Sequence, residues 1–282
     1  MANVKGYEAE HFIVTAPAEY VLRVEINRPK KLNAFFEPMW LELGALMNKA
    51  SHDPDYRAVV ITAAGDRAFT AGLDVEAAGE GGLLGTSTNL DPARKATTAR
   101  RHIAEFQDSI TAIEKCEKPV IVALHGLCIG LAIDLASCAD VRFCTKDARF
   151  SVKEVDIGIA ADIGTLTRLP KIVGSFSWVK EVTMSARWFD ADEALRVGFV
   201  SRILDNKAKA VEAALEYASL LAGKSPIAVQ GTKELLNHAR DNTVADSLRY
   251  TAIWNASMIQ CKDTEDALLA GLKKRTPTFS KL

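Results

Sequence analysis

Along residues 1–205, segments with the two-residue period of a strand alternate with segments of helical period, and beyond that point only helical periods remain. No other feature restricts the possible folds as much. Tyr20 to Ile26 alternates and carries β-branched residues, and Arg57 to Thr62 and Pro119 to Leu124 are short apolar runs; all three read as strands. Helical spacing follows in Glu37 to Ala50, in Arg101 to Lys115 with Ile103, Phe106, Ile110 and Ile113 three and four apart, and in Ile129 to Cys138. Val141 to Cys144, Val155 to Ile159 and Val200 to Leu204 predict further strands, with helices over Thr165 to Ile172 and Phe176 to Ser185. Such alternation defines an α/β core over 1–205. Ala208 to Leu221, Ile227 to Ala239, Thr243 to Ile259 and Glu265 to Lys274 then predict a helical region over 206–282, too small to bury both faces alone. It is expected to pack on the core or on a neighbouring subunit.

At 282 residues, one large domain or a core with an appendage is expected. Thirty-five Lys and Arg against 36 Asp and Glu give a net charge of −1, so no global field holds nucleic acid or an anionic membrane. Any anionic ligand must meet a local cluster. The five cysteines form no C-x-x-C pair and no basic segment precedes an apolar one at the N-terminus, which predicts a reducing, non-secreted setting. The most apolar window, Pro119 to Val141, is interrupted by His125, Gly126, Gly130, Asp134 and Asp140 and reads as buried core, not as a membrane span. Gly79 to Pro92 lacks periodicity and reads equally as a loop over a site or as a surface insertion.

Two strand-to-helix turns are candidates for chemistry. Phe69 to Asp74, with Ala71, Gly72 and Leu73, lets backbone N–H groups approach a ligand closely; a tight turn needs the same residues. His125 to Asp134 feeds a helix whose first N–H groups have no intrahelical partner. Two such donors can polarise one carbonyl oxygen. Three acids stand among apolar or small residues: Asp134, Glu154 and Asp162. Such carboxyls serve proton transfer near neutrality or cap turns, and Asp162 precedes a predicted helix. His125 has no partner at ligand spacing, so no metal site is expected. Trp40, Trp178, Trp188 and Trp254 read as core.

Asn27-Arg28-Pro29-Lys30-Lys31-Leu32-Asn33-Ala34 resembles the N-R-P-x-x-x-N-A segment of the enoyl-CoA hydratase/isomerase (crotonase) superfamily, Phe69 to Asp74 its F-x-A-G-x-D loop, and Lys118 to Gly126 its K-P-V-I-A-x-x-x-G strand. Within it, Val152 to Leu166, Ile113 to Cys116, Lys224 to Gly231 and Thr278 to Leu282 resemble the isomerases that convert 3,5-dienoyl-CoA to 2,4-dienoyl-CoA. The resemblance implies a core of repeated ββα units and a C-terminal helical region that builds a homotrimer or hexamer. It implies three catalytic acids at Asp134, Glu154 and Asp162, and no cofactor beyond the acyl-CoA substrate. The thioester oxygen would rest on the N–H groups of Ala71 and Leu131, beside Gly72, Leu73 and Asp74. The family's run of glycines is replaced by Gly130-Leu131-Ala132, so two side chains enter space that glycine leaves open.

Moving the diene requires loss of a proton at C2 and gain of one at C6, hence two acids. Glu154 is expected at C2 and Asp162 at C6, with Asp134 orienting them. The phosphates of coenzyme A are expected near Lys30 and Lys31, with Leu32 and Ala34 beside them, and near Lys273 or Lys274 of the tail. A 2-enoyl-CoA hydratase would use two glutamates at the positions of Asp134 and Glu154; a crotonase-fold binding protein without catalysis is the other alternative. Ser280-Lys281-Leu282, as a free C-terminus, is a peroxisomal import signal, which predicts a matrix protein read by the import receptor.

Overall fold

The computed structural model describes residues 4–77 and 90–282; most of the Gly79–Pro92 segment lies outside the described residues. A hairpin opens the fold: β1 (Phe12–Ala18) runs antiparallel to β2 (Val21–Ile26). After α1 (Glu37–His52) the chain repeats one manoeuvre three times. β3 (Ala58–Ala63), β5 (Val120–Leu124) and β7 (Val141–Thr145) enter a large sheet; β4 (Ala68–Thr70), β6 (Leu127–Ile129) and β8 (Arg149–Ser151) follow each of them into a small one. The helices α2 (Pro92–Lys115), α3 (Leu131–Cys138) and α4 (Thr165–Ile172) complete the three ββα units. Then come α5 (Phe176–Ser185), β9 (Phe189–Asp190), α6 (Ala191–Arg196) and β10 (Arg202–Leu204).

The large sheet has the order β1-β2-β3-β5-β7-β10 and is parallel from β2 onward; the small one has the order β4-β6-β8-β9. Because Thr70 pairs with Cys128 and Ile129 with Ser151 in parallel register, β4, β6 and β8 end side by side. The segments that leave those three ends are the ones that carry the candidate site.

Both faces of the large sheet are buried, which is why its strands read as continuous apolar runs. On one face Val24, Val59, Ile61 and Val122 pack with Met39, Leu43 and Met47 of α1 and with Ile110 and Ile113 of α2. On the other, Val60, Ile121 and Phe143 meet α7 (Lys207–Ala222) through Ala210, Ala214, Ala218 and Ala222. Those alanines, four apart, form one stripe whose small size lets the helix backbone approach the sheet. The tail continues as α8 (Pro226–Asp241), α9 (Val244–Met258) and α10 (Lys262–Leu272). α8 is fixed to the core by Lys233, whose ammonium reaches Asp140 at 2.7 Å and the Lys118 carbonyl at 3.1 Å, whereas α9 has no buried residue. The last residues return to the core, where Arg57 donates to the carbonyls of Phe279 (2.6 Å) and Ser280 (3.1 Å) and Lys281 pairs with Asp55.

Three sequence expectations change. Val155–Ile159 is not a strand: Glu154–Ile157 is a short 3-10 turn closed by a left-handed Gly158, and Val155, Ile157 and Ile159 are exposed, so the apolar alternation has no sheet to join. β1 and the short strands β4, β6, β8 and β9 gave no clear signal, being too brief or too irregular to show a period. Trp188 is partly exposed beneath the Lys153 ammonium, 5.3 Å from its ring, and Trp254 lies against Gly231 of the tail, so neither joins the core cluster that holds Trp40 and Trp178.

Candidate active site

The turn after β2 is the platform of the site. Leu32 and Asn33 are both left-handed, a conformation that Asn tolerates better than most residues. The Asn33 amide donates to the carbonyls of Ala64 (2.8 Å) and Ala68 (3.0 Å), its Oδ1 accepts from the Arg28 N–H (2.9 Å), and its carbonyl accepts from the Thr70 hydroxyl (2.7 Å). Arg28 crosses to Asp74 at 2.6 Å and to the Ala34 carbonyl at 3.0 Å. That guanidinium holds the Asp74 carboxyl below its usual range, and Asp74 Oδ1 accepts from the N–H groups of Glu76 and Ala77. Asp74 therefore braces the loop and is saturated by the protein itself.

Within that loop the N–H groups differ in availability. Ala71 donates to the Leu32 carbonyl at 3.0 Å, Gly72 to Thr70 Oγ1 at 3.1 Å and Asp74 to the Phe35 carbonyl at 2.7 Å. The Leu73 N–H has no acceptor among the described residues, since the parallel bridge to Phe35 uses the neighbours on either side. The donor expected at Ala71 is thus engaged, and the free one lies two residues on. At the end of β6, Gly130 donates to the Ser151 carbonyl at 2.9 Å and leaves Leu131, first residue of α3, with an N–H free of any partner among the described residues. The two turns touch at Gly72, which has φ +90°: a methyl placed there would lie 3.0 Å from the Ile129 carbonyl oxygen and 3.7 Å from the Leu131 nitrogen. Only glycine fits. The side chains of Leu131 and Ala132, which stand where the family has glycines, belong to the main core cluster.

The three acids differ in environment. Asp134, on the first turn of α3, is 1 % exposed, and its Oδ1 accepts from both the N–H (2.6 Å) and the hydroxyl (2.8 Å) of Thr165. Burial, with Glu154 adding repulsion, pushes its pKa up to about 7. Glu154 leaves the end of β8; a methyl on Gly130 would stand 3.2 Å from its Oε1. Its Oε2 is buried with no hydrogen-bond partner among the described residues, and burial raises the pKa, reinforced by the charge of Asp162. Asp162, before α4, is exposed at its edge, though desolvation still raises its carboxyl while His102 favours the ionised form. Glu154 is electrostatically coupled to both aspartates.

Sequence reasoning missed Thr165 and the stripe Gln107, Thr111 and Glu114 on α2, which holds the Asp162 turn. Gln107 donates to the Asp162 carbonyl at 2.5 Å. Its signal was present as polar residues four and three apart beside the apolar Phe106–Ile110–Ile113 row. Of the phosphate candidates, Lys30 is exposed, Lys31 pairs with Glu76 at 2.7 Å, and Leu32 and Ala34 serve through their carbonyls. Lys273 and Lys274 end α10, exposed, and no hydrogen bond or ion pair among the described residues joins their side chains to the site. Glu37, His102 and Glu105 bring donor atoms within 4.8 Å of one another, the grouping among the described residues with metal-ligand composition; both glutamates are exposed. His125 is buried against the Gly65 carbonyl at 2.9 Å. No described helix is long and apolar enough to cross a membrane.

A sequence profile of the enoyl-CoA hydratase/isomerase family matches residues 17–281. The mitochondrial Delta(3,5)-Delta(2,4)-dienoyl-CoA isomerase of Mus musculus is 46 % identical over 284 residues, covering 99 % of this chain and 86 % of that protein. The peroxisomal Delta(3,5)-Delta(2,4)-dienoyl-CoA isomerase of Arabidopsis thaliana is 39 % identical, covering 99 % of this chain and all of that one. In fold, the crystal structure of an enoyl-CoA hydratase from Bacillus anthracis superposes with a TM-score of 0.85 over 96 % of this chain and 99 % of the other, at 24 % identity. With its ββα spiral, its paired strand-end donors and these relatives, the chain belongs to the enoyl-CoA hydratase/isomerase (crotonase) family.

Proposed function

We propose that the protein isomerises 3,5-dienoyl-CoA to 2,4-dienoyl-CoA in the oxidation of unsaturated fatty acids. The observation that carries the reading is Glu154 Oε2, a buried carboxylate oxygen without a hydrogen-bond partner among the described residues, coupled electrostatically to Asp134, whose Oδ1 is held by Thr165, and to a second acid, Asp162. The N–H groups of Leu73 and Leu131 receive the thioester oxygen. They stabilise the dienolate formed when C2 loses its proton, and being fixed in advance they need no reorganisation. Glu154 takes the C2 proton; burial raises its pKa and makes its carboxylate a stronger base than that of an exposed glutamate. The electron pair shifts along the conjugated carbons, and Asp162, entering the step protonated, delivers its proton at C6; the exposed Asp162 then regains a proton from solvent and Glu154 releases the one it took, which restores the pair. Asp134 orients the set through Thr165, whose N–H and hydroxyl both hold its Oδ1.

The test is a spectrophotometric assay with a synthetic 3,5-dienoyl-CoA, run on the protein and on Glu154→Gln and Asp162→Asn. Each substitution should lower isomerisation by roughly 10²- to 10⁴-fold, the range for lost acid–base catalysis. Asp162→Asn should still exchange the C2 proton with deuterated solvent and Glu154→Gln should not. Hydration of a 2-enoyl-CoA proving faster, with Asp162→Asn harmless, would overturn the proposal.

Three finer readings accompany it. The exposed ammonium of Lys30 meets a CoA phosphate, with Lys273 or Lys274 joining it from a neighbouring subunit; charge reversal at Lys30 should raise KM more than it lowers kcat. Residues 206–282 act as the oligomerisation region and build a trimer or hexamer, supported by the apolar face of α9. The protein works in the peroxisomal matrix, supported by Ser280-Lys281-Leu282 where these residues form a free carboxy-terminus. The relatives are named for both mitochondria and peroxisomes, so a fluorescent fusion with the tripeptide intact, compared with one lacking it, decides between them.

A further inference from the structure

Arg168 lies at the centre of a polar strut that joins the acid-bearing turn to the tail. It sits on α4 and folds back over the turn that holds Asp162, Gly164 and Thr165. A methyl on Gly164 would fall 2.2 Å from its Nη1 and 3.8 Å from Asp134 Oδ1, so the guanidinium packs directly on that backbone. Gly164 has φ +156°, a conformation that residues with a side chain rarely adopt, and a larger residue there would have to displace the arginine. The same guanidinium donates to Glu114 Oε2 through Nε at 2.9 Å, lies 2.8 Å from it through Nη2, and reaches Thr111 Oγ1 at 2.9 Å. The other oxygen of Glu114 accepts from Arg240 of α8, which is held in turn by Asp241 at 2.8 Å. A cavity of about 350 Å³ runs beside these groups and reaches Asp162.

We infer that Arg168 is a positioning residue for the two aspartates, fixing the 162–165 turn so that Asp162 stands where C6 arrives and Thr165 stands where it holds Asp134. The inference rests on the isomerase reading. Arg168 touches no reacting atom in that scheme; it acts through Gly164 and Thr165. A planar fork is required, because one group must satisfy Glu114 and Thr111 while lying flat on a glycine backbone, and the point charge of lysine cannot do this. Its charge also bears on Asp134, whose ionised form it favours. The groups facing Asp134 are Glu154 from the end of β8, Thr165 and Arg168 from α4, and the Cys138 thiol on its own helix; those facing Arg168 are Glu114 of α2, Arg240 of α8 and Cys138. Among these described groups, Arg168 is the cation that bears on Asp134.

The full-length protein is compared with Arg168→Gln and Arg168→Lys for kcat and KM on a synthetic 3,5-dienoyl-CoA, for solvent exchange of the C2 proton, for the pH profile and for urea unfolding. In Arg168→Gln net isomerisation should fall by about 10²-fold, the scale of a misplaced catalytic group, with KM changed far less. Exchange at C2 should persist, because Glu154 lies outside the clamp. The ionisation near pH 7 assigned to Asp134 should move up once the neighbouring cation is gone. Arg168→Lys should restore that ionisation but not the isomerisation rate. Glu114→Gln, which leaves the arginine in place but loosens it, should give a smaller change of the same pattern. Exchange and isomerisation falling in parallel, or a loss of rate that tracks the unfolded fraction, would overturn the inference, as would a rate within a few-fold of the parent. If Asp162→Asn is itself harmless, the isomerase reading fails first; if Asp162→Asn is damaging and Arg168→Gln is not, this inference alone fails.

Discussion

Where β4, β6 and β8 end, the groups left without partners among the described residues are polar: the N–H groups of Leu73 and Leu131 and the Oε2 of Glu154. On α9 and α10 large apolar side chains stand uncovered: Leu248 is 67 % exposed, Ile253 60 % and Leu272 83 %. Polar groups kept dry and unpaired are costly, and a fold retains them where a ligand completes them. A contiguous apolar face is costly in water and is retained where another protein surface covers it. On the proposed reading the first region is finished by the acyl-CoA and the second by another subunit, and the chemistry of what is missing distinguishes the two.

The sharpest break of that contrast removes one unmet donor, together with part of a buried side chain whose loss urea unfolding reads separately. Leu131 is the first residue of α3, a position that accepts proline, so Leu131→Pro deletes the N–H while leaving the helix start intact. Isomerisation should fall by about 10²- to 10³-fold, as for loss of one oxyanion donor, with the sedimenting mass unchanged. A smaller effect, on stability, separates the covered helix from the uncovered one. Ala214→Leu, in the stripe of α7 that meets the sheet, should cost about 1–3 kcal/mol in urea unfolding through overpacking. Leu248→Ala, on the exposed face of α9, should stay within about 0.5 kcal/mol for the isolated subunit. Leu248→Asp combined with Ile253→Asp should shift light scattering from an oligomer to the monomer mass with the circular dichroism of the fold retained; an unchanged oligomer mass would place the interface elsewhere.

The least effect concerns pH. Glu154 must be ionised to take a proton, so C2 exchange should fall as the pH drops through its raised pKa, at a pH above the ordinary glutamate value of 4.5. Burial is the main cause of that rise and the charge of Asp162 a smaller one. Asp162→Asn should therefore move the acid limb of C2 exchange down by a fraction of a unit. An upward movement would mean that the two carboxyls do not face each other.

Sequence periodicity by itself determined the α/β core, the buried strands of the large sheet and the four tail helices, because those elements are long enough for a repeat of two or of 3.6 to register. The resemblance carried by Asn27–Ala34 and Phe69–Asp74 picked out the segments that meet at the site. It did not tell which atoms remain free there. Ala71 and Leu73 are two residues apart in one motif, and only the bond from Ala71 to the Leu32 carbonyl, made across the turn after β2, decides that Leu73 is the available donor. Likewise Asp134, Glu154 and Asp162 look alike in the sequence as acids among apolar residues. Their separation into a carboxyl held by Thr165, a bare one and an edge one follows from Thr165, Gly130 and the α2 stripe, neighbours brought in by the way the strands and helices pack. Local periodicity fixes what a segment is; hydrogen-bond satisfaction and burial depend on what it meets, and these contacts are set only when the strands pair.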